Sequence, residues 1–227
     1  ALAENRQLER RPDSADAAFL PDDRVVVAGV RTLLLDLDDG LDLDDALDLD
    51  GGAGACSVDA SADGRWIAAG LLDGGLRAWD ARTGLPIDRF PSAARGEEAD
   101  GEEEPSDDPR VKVALDPAGD RLASLRAYGR GLDIWSLETG RTGPHRYVVE
   151  PGDRSIAFVP EDGSVVMTTR SGLDGLALDG AWGQVLAAPG VADVAAAPPG
   201  LATVGGDGVV RLWDRSGQPI GALDSGS

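Results

Sequence analysis

The chain has 227 residues, enough for one domain or two small ones around a sizeable apolar core. Its 41 acidic residues against 21 basic ones give a formal net charge of −20 at pH 7. A surface that negative repels nucleic-acid phosphates and anionic lipid headgroups, so we expect neither nucleic acid nor membrane as a partner. One cysteine and one histidine are too few for a disulfide framework or a His-rich metal site, and no cofactor is expected.

No run of about 18 consecutive apolar residues is present, and the N-terminus lacks the basic and apolar regions of a signal peptide. We therefore expect a cytoplasmic protein. Residues 1–14 are predicted to be a linker from an upstream domain of the same polypeptide, or to supply a closing outer strand at residues 4–11. Residues 15–227 are predicted to form one repeat domain.

One pattern recurs along the chain: an apolar strand, a turn, a second strand, another turn, and a strand that ends near Trp-Asp. It is clearest at residues 57–80, where the second turn is Asp73-Gly74-Gly75. Residues 197–214 repeat it, with the turn Gly206-Asp207-Gly208. Such residues favour tight turns, because Gly accepts positive φ and Asp bonds to nearby backbone amides.

Three weaker copies lie around these two, at residues 19–29, 115–136 and 156–179. Each unit of roughly forty residues holds about four short strands, which is the length and content of one propeller blade. A blade is apolar on both faces, so it must stack on neighbouring blades to bury them. The sequence therefore predicts an all-β fold, a β-propeller of about five four-stranded antiparallel blades.

The Trp-Asp pairs carry a resemblance to a known family. Trp79-Asp80 and Trp213-Asp214 each follow a turn aspartate, Asp73 or Asp207, by six residues, and Trp135 takes the same place in the third unit. In these residues the chain resembles the WD-repeat (WD40-like) β-propellers, in a divergent form. The resemblance covers about residues 15–224 and implies an interaction platform for other proteins.

The chain departs from the family pattern in two ways. The family usually has a Gly-His pair whose imidazole bonds to the turn aspartate, but no unit here contains that histidine; His145 lies in Gly143-Pro144-His145. We therefore expect the hydrogen-bond network of a typical WD blade to be absent and apolar stacking to hold the blades together. The tryptophan is also missing in two units, at Leu178 and around Leu37, which predicts looser blades there.

The number of blades leaves the closure of the ring open. Five units are visible, whereas the resembled family most often has seven blades. Residues 218–223 already read as an outer strand of the last unit, so a strand at residues 4–11 would be surplus. The chain is either a closed five-bladed ring, which is our expectation, or part of a larger ring.

Two acidic segments stand out. In residues 33–52, Leu and Asp alternate, which predicts a hairpin with a turn at Asp39-Gly40 and a solvated outer strand. Calcium binding by the aspartates of residues 36–50 stays open, because the spacing is not that of an EF-hand. Residues 96–108 form an acidic loop, predicted to be a disordered surface insertion or, as the alternative, a docking site for a basic partner.

Composition argues against catalysis. A nucleophilic triad would need His145, which a Gly-Pro-His turn presents to solvent, so we predict no catalytic residues and no metal ligands. The prediction is a non-catalytic scaffold or sensor that binds a protein. The alternative is a five-bladed hydrolase or carbohydrate-binding protein that uses carboxylates of the channel, although only 4% of residues are aromatic. Candidate partner-binding residues lie on inter-strand turns and break the repeat: Arg126, Tyr128, Arg130, Arg170 and Trp182.

Overall fold

The computed structural model describes most of the repeat domain. The residues it describes are 16–37, 46–49, 54–87, 90, 110–126, 131–139, 147–148, 155–160, 162–177, 181–188, 190–197, 200–214 and 216–224. In this part of the chain the regular structure consists of nineteen β-strands in five sheets. A helix long and apolar enough to cross a membrane is not found among these residues.

The first two blades follow one another along the chain. The strands of the first blade are β1 (Asp16–Phe19), β2 (Arg24–Ala28), β3 (Leu33–Asp36) and β4 (Leu47–Asp48). Those of the second are β5 (Ala55–Ala60), β6 (Trp66–Leu71) and β7 (Leu76–Asp80). Here the described residues form three strands, and Pro86 bridges to Trp79 where a fourth would lie.

The other three blades each have four described strands. The third contains β8 (Val111–Leu115), β9 (Arg121–Arg126), β10 (Gly131–Ser136) and β11 (Tyr147–Val148). The fourth contains β12 (Ile156–Phe158), β13 (Val165–Thr169), β14 (Gly172–Leu176) and β15 (Trp182–Leu186). The fifth contains β16 (Val191–Ala197), β17 (Gly200–Gly205), β18 (Val209–Asp214) and β19 (Pro219–Asp224). Neighbouring strands in every sheet are consecutive in sequence and antiparallel, which confirms the predicted all-β, five-bladed propeller.

The five blades superpose by strand register, which defines one equivalent position in each third strand. Trp79 pairs with Ile67, Trp135 with Leu122 and Trp213 with Leu201. The residues that hold this position in the other two blades are Leu35, paired with Val25, and Leu176, paired with Val165. The predicted equivalents, Leu178 and Leu37, were therefore two residues too late. We call the blade face that carries this position the front face and the opposite one the back face.

Each blade packs its front face on the back face of the blade before it. Four buried apolar clusters lie between successive blades, the largest between the first two, where Trp79 and Ile67 meet Val26 and Leu34. The innermost strands β1, β5, β8, β12 and β16 contact one another in that order. Extensive contacts between the first and fifth blades are not found among the described strands. The expected closure of the ring is therefore not made by these residues.

The Leu/Asp segment differs from its prediction in part. β3 and β4 are antiparallel, with Leu34 opposite Leu47, as expected for a hairpin. Leu34 and Leu35 point to opposite faces, and both are buried. The first half of the segment is therefore an interior strand and not a solvated outer one. The predicted turn, with most of the aspartates considered for calcium, lies outside the described residues, as do residues 1–14 and 96–108.

Candidate functional site

The predicted partner-binding residues divide between the two ends of the propeller. In an antiparallel blade, successive turns alternate between the ends, so all turns from second to third strands share one end. Arg126 at the end of β9 is half-buried, and Arg170, after β13, is exposed at that same end on the next blade. Trp182 begins β15 opposite Leu176, which places its backbone at the other end. Tyr128 and Arg130 lie outside the described residues.

The signature aspartates of the second turn stabilise that turn. The carboxylate of Asp73 accepts a hydrogen bond from the Gly75 amide at 2.8 Å. Asp207 accepts one from the Val209 amide at 3.1 Å and forms an ion pair with Arg211 at 2.6 Å. The Arg211 guanidinium lowers the pKa of Asp207 to about 2. In place of the missing histidine, these aspartates bond to their own turn.

The tryptophans form the part of the blade network that was expected to be absent. Trp135 Nε1 donates to Ser124 Oγ at 2.8 Å, and Trp213 Nε1 donates to Thr203 Oγ1 at 2.8 Å. Both bonds join the third strand of a blade to its second. In these two blades the expectation of apolar stacking alone was wrong, because a hydroxyl two residues along the second strand lies within reach of the indole.

Trp79 bonds differently, and the sequence explains why. The residue of β6 equivalent to Ser124 and Thr203 is Ala69, which has no hydroxyl. Trp79 Nε1 donates instead to the backbone carbonyl of Leu49, in the first blade, at 2.8 Å. The side chain is fully buried. Trp79 therefore joins two blades, whereas Trp135 and Trp213 bond within their own.

The aspartates that follow two of these tryptophans shape the third turn of their blades. Asp80 Oδ1 accepts from the amide of Thr83 at 2.9 Å and from that of Arg82 at 3.1 Å. Asp214 Oδ1 accepts from the amides of Ser216 and Gln218, both at 2.9 Å. The Trp-Asp pair thus combines a buried anchor with a turn-forming carboxylate.

Side chains of the innermost strands link successive blades. Asp16 Oδ2 accepts from the Val58 amide at 3.2 Å, and Asp59 Oδ2 accepts from the Leu115 amide at 2.7 Å. The Ser155 hydroxyl donates to Asp193. Among the described residues, no group of three or more His, Cys, Asp or Glu side chains is arranged to hold a metal ion. The described carboxylates at the channel thus have structural partners.

Asp59 is the most perturbed of these carboxylates. Burial raises its pKa to about 6, against the lowering effect of hydrogen bonds from the amides of Leu115 and Ala60, and the nearby negative charge of Asp16 adds to the rise. Between the unfolded pKa near 3.8 and the folded value, the native state binds more protons than the unfolded state. The stability that protonated Asp59 contributes is therefore present below about pH 4 and is lost as the pH rises through about pH 6.

We expect the D59N substitution to remove this pH dependence. Between about pH 4 and about pH 7, the free energy of unfolding of the wild type should fall by up to about 3 kcal/mol relative to D59N. Urea denaturation followed by circular dichroism at several pH values measures the difference. A constant offset is also expected, because an amide supplies one acceptor oxygen where the carboxylate supplies two. Parallel pH profiles for the two proteins would contradict the assignment.

Comparison with known proteins agrees with the geometry of the second blade. Residues 48–80 match the family model for the WD domain, G-beta repeat. This span runs from the end of β4 through β7 and includes the Asp73 turn and the Trp79-Asp80 pair. The search of curated proteins returned no match. The chain thus carries a WD repeat at residues 48–80, set in a five-bladed β-propeller.

Proposed function

We propose that the protein is a non-catalytic scaffold or sensor module of the cytoplasm, which binds another protein through the end of the propeller that carries Arg126 and Arg170. The observation that carries this proposal is the use of the inner-strand carboxylates. Asp16 and Asp59 accept amides of the next blade, and Asp193 accepts the Ser155 hydroxyl. Side chains bound in this way hold the blades in register, which is the task of a scaffold.

The binding end is chosen for its chemistry. In a chain with twice as many acidic as basic residues, Arg126 and Arg170 occupy corresponding turns of adjacent blades. Arginine is favoured at the centre of protein interfaces because its planar group both bonds to carboxylates and stacks on aromatic rings. A partner surface with acidic and aromatic residues fits this end best. Tyr128 and Arg130, on the same turn as Arg126 in sequence, extend the proposed surface.

Site-specific photocrosslinking tests the proposal. A benzoylphenylalanine at position 126 or 170 is expected to give a discrete heavier adduct in extract of the cells that make the protein. The matched control is position 82, an exposed arginine on the turn after β7, at the opposite end. Adducts that are absent, or equal at all three positions, would contradict the proposed surface. The R126E/R170E double variant should lose the adduct formed from a neighbouring probe position, and R82E should retain it.

One observation favours the enzymatic alternative. A carboxyl group with a pKa near 6 beside the channel suits general acid–base chemistry, and Asp59 is such a group. The test is an assay of wild-type protein and D59N against chromogenic glycosides and esters. Turnover by the wild type that D59N lacks would support a hydrolase. Equal background with both proteins is the result expected for a scaffold.

A further inference from the structure

Phe19 and Phe158 occupy equivalent positions in two blades but have opposite environments. Phe19 pairs with Val25, as Phe158 pairs with Val165, and in both cases the partner is the second-strand residue opposite the front-face position. Phe158 is 4% exposed, because the back face of the third blade covers it. Phe19 is 74% exposed, because none of the described residues provides a blade in front of the first. The front face of the first blade is therefore uncovered at its largest residue.

The back face of the third blade shows what such a phenylalanine requires. Phe158 lies in a cluster with two alanines and three aliphatic residues of that face: Ala114, Ala123, Leu125, Leu132 and Ile134. Ala114 pairs with Ala123, which pairs with Ile134, and Leu125 pairs with Leu132. The two small side chains leave room for the ring, and the three larger ones surround it.

The back face of the fifth blade repeats this arrangement. Ala195 pairs with Ala202, which pairs with Leu212, in the register of the third blade's two alanines and isoleucine. Val204 pairs with Val210, where the third blade has its two leucines. In the third blade the equivalents of this last pair are 0–1% exposed, whereas Val204 and Val210 are half-buried. Leu223 of β19, opposite Val210, is 64% exposed on the same face.

The uncovered faces are thus the two halves of one interface that the chain already contains. The interface between the third and fourth blades pairs a back face of Ala, Ala and aliphatic residues with a front-face phenylalanine. We propose that copies of this protein associate head to tail, with the front face of one first blade, centred on Phe19, packed on the back face of another copy's fifth blade. This inference is independent of the proposed partner surface, which lies at the end of the propeller and not on these faces.

Electrostatics sets the conditions for this association. With a net charge of −20 on each copy, long-range repulsion opposes contact. Asp16 and Asp193 hold corresponding positions on the first and last inner strands, so two carboxylates would approach at the channel edge of the new interface. The apolar faces supply the attraction, which salt does not weaken. Raising NaCl from about 0.1 M to about 1 M is therefore expected to strengthen association at least tenfold.

Sedimentation velocity over a concentration series tests the proposal with the full chain. The wild type is expected to form dimers or longer assemblies as concentration rises towards about 1 mM at high salt. F19D places a charge on one face and L223D on the other, at sites already exposed to solvent, and each variant alone should be monomeric. The matched control is L85D, because Leu85 is also 64% exposed but lies in the turn after β7, away from both faces. L85D should associate like the wild type.

Mixing the two variants gives the sharpest outcome. F19D keeps an intact fifth-blade face and L223D an intact first-blade face, so their equimolar mixture should form a dimer that neither forms alone. A mixture that stays monomeric would overturn head-to-tail packing. A wild type that stays monomeric at high salt would also overturn the proposal. In that case the rate of thiol labelling of F19C separates the remaining occupants: slow labelling indicates closure within one chain, and fast labelling indicates faces that await blades of another protein.

Discussion

Replacing Trp79 with alanine is expected to destabilise the protein by about 3–5 kcal/mol, the loss typical of a large buried aromatic side chain. The indole is fully buried in the cluster between the first and second blades. Truncation leaves a cavity there and removes the bond at 2.8 Å to the Leu49 carbonyl. Because this bond joins two blades, the change weakens an interface and not one sheet alone. Denaturation in urea, followed by tryptophan fluorescence and circular dichroism, measures the loss.

The same substitution at an equivalent position provides the control. Trp213 is half-buried and bonds within its own blade, to Thr203. W213A is therefore expected to cost clearly less than W79A. W79F should fall between wild type and W79A, since it keeps the ring but leaves the Leu49 carbonyl without its donor. Equal losses for W79A and W213A would show that the interface between the first two blades does not depend on Trp79.

Gly70 marks the closest approach of the second and third blades, and the G70A substitution is expected to destabilise the protein by about 2–3 kcal/mol. A Cβ at this position would overlap the backbone carbonyl of Val111 and lie 2.7 Å from its carbonyl carbon. The obstacle is backbone in a paired strand, which moves only if β8 shifts. Cys56 lies at the same contact, with its Sγ 3.3 Å from the Val111 carbonyl oxygen. Thermal and urea denaturation of G70A report the cost.

Gly183 is the matched control, because it also lies in a strand but has no atom within 4 Å of the position a Cβ would take. G183A is expected to be neutral or slightly stabilising, since alanine lowers the entropy of the unfolded chain. If G70A were as well tolerated as G183A, the second and third blades would have to be more loosely packed than the structure describes.

The sequence was sufficient to predict the number and kind of blades, because turn chemistry and strand period are local properties. Asp73 and Asp207, with their glycines, define tight turns wherever they occur. Trp79 and Trp213 were also correctly placed, since a bulky residue at a fixed distance from such a turn falls on the same face each time. Where tryptophan is replaced by leucine, the position was misplaced by two residues, because Leu35 and Leu176 lie among other apolar residues that share the period of two.

Properties that depend on a neighbouring blade could not be read from the repeat alone. Whether an indole bonds within its blade depends on a hydroxyl two strand positions away, present at Ser124 and Thr203 but replaced by Ala69. The burial of both Leu34 and Leu35 requires packing on both faces of one strand, which alternation with Asp conceals. The exposure of Phe19 is invisible in sequence, because an identical residue in the same register, Phe158, is buried.

The order of contacts gives the protein the mechanics of a one-dimensional array. Each blade touches only the blades next to it in the chain, so global stability is close to a sum of blade and interface contributions. A terminal blade has one such interface and an inner blade has two. Fraying therefore begins at the ends, and at the fifth blade it begins with β19, whose residues are all exposed. Damage in one blade is felt by its neighbours and fades beyond them.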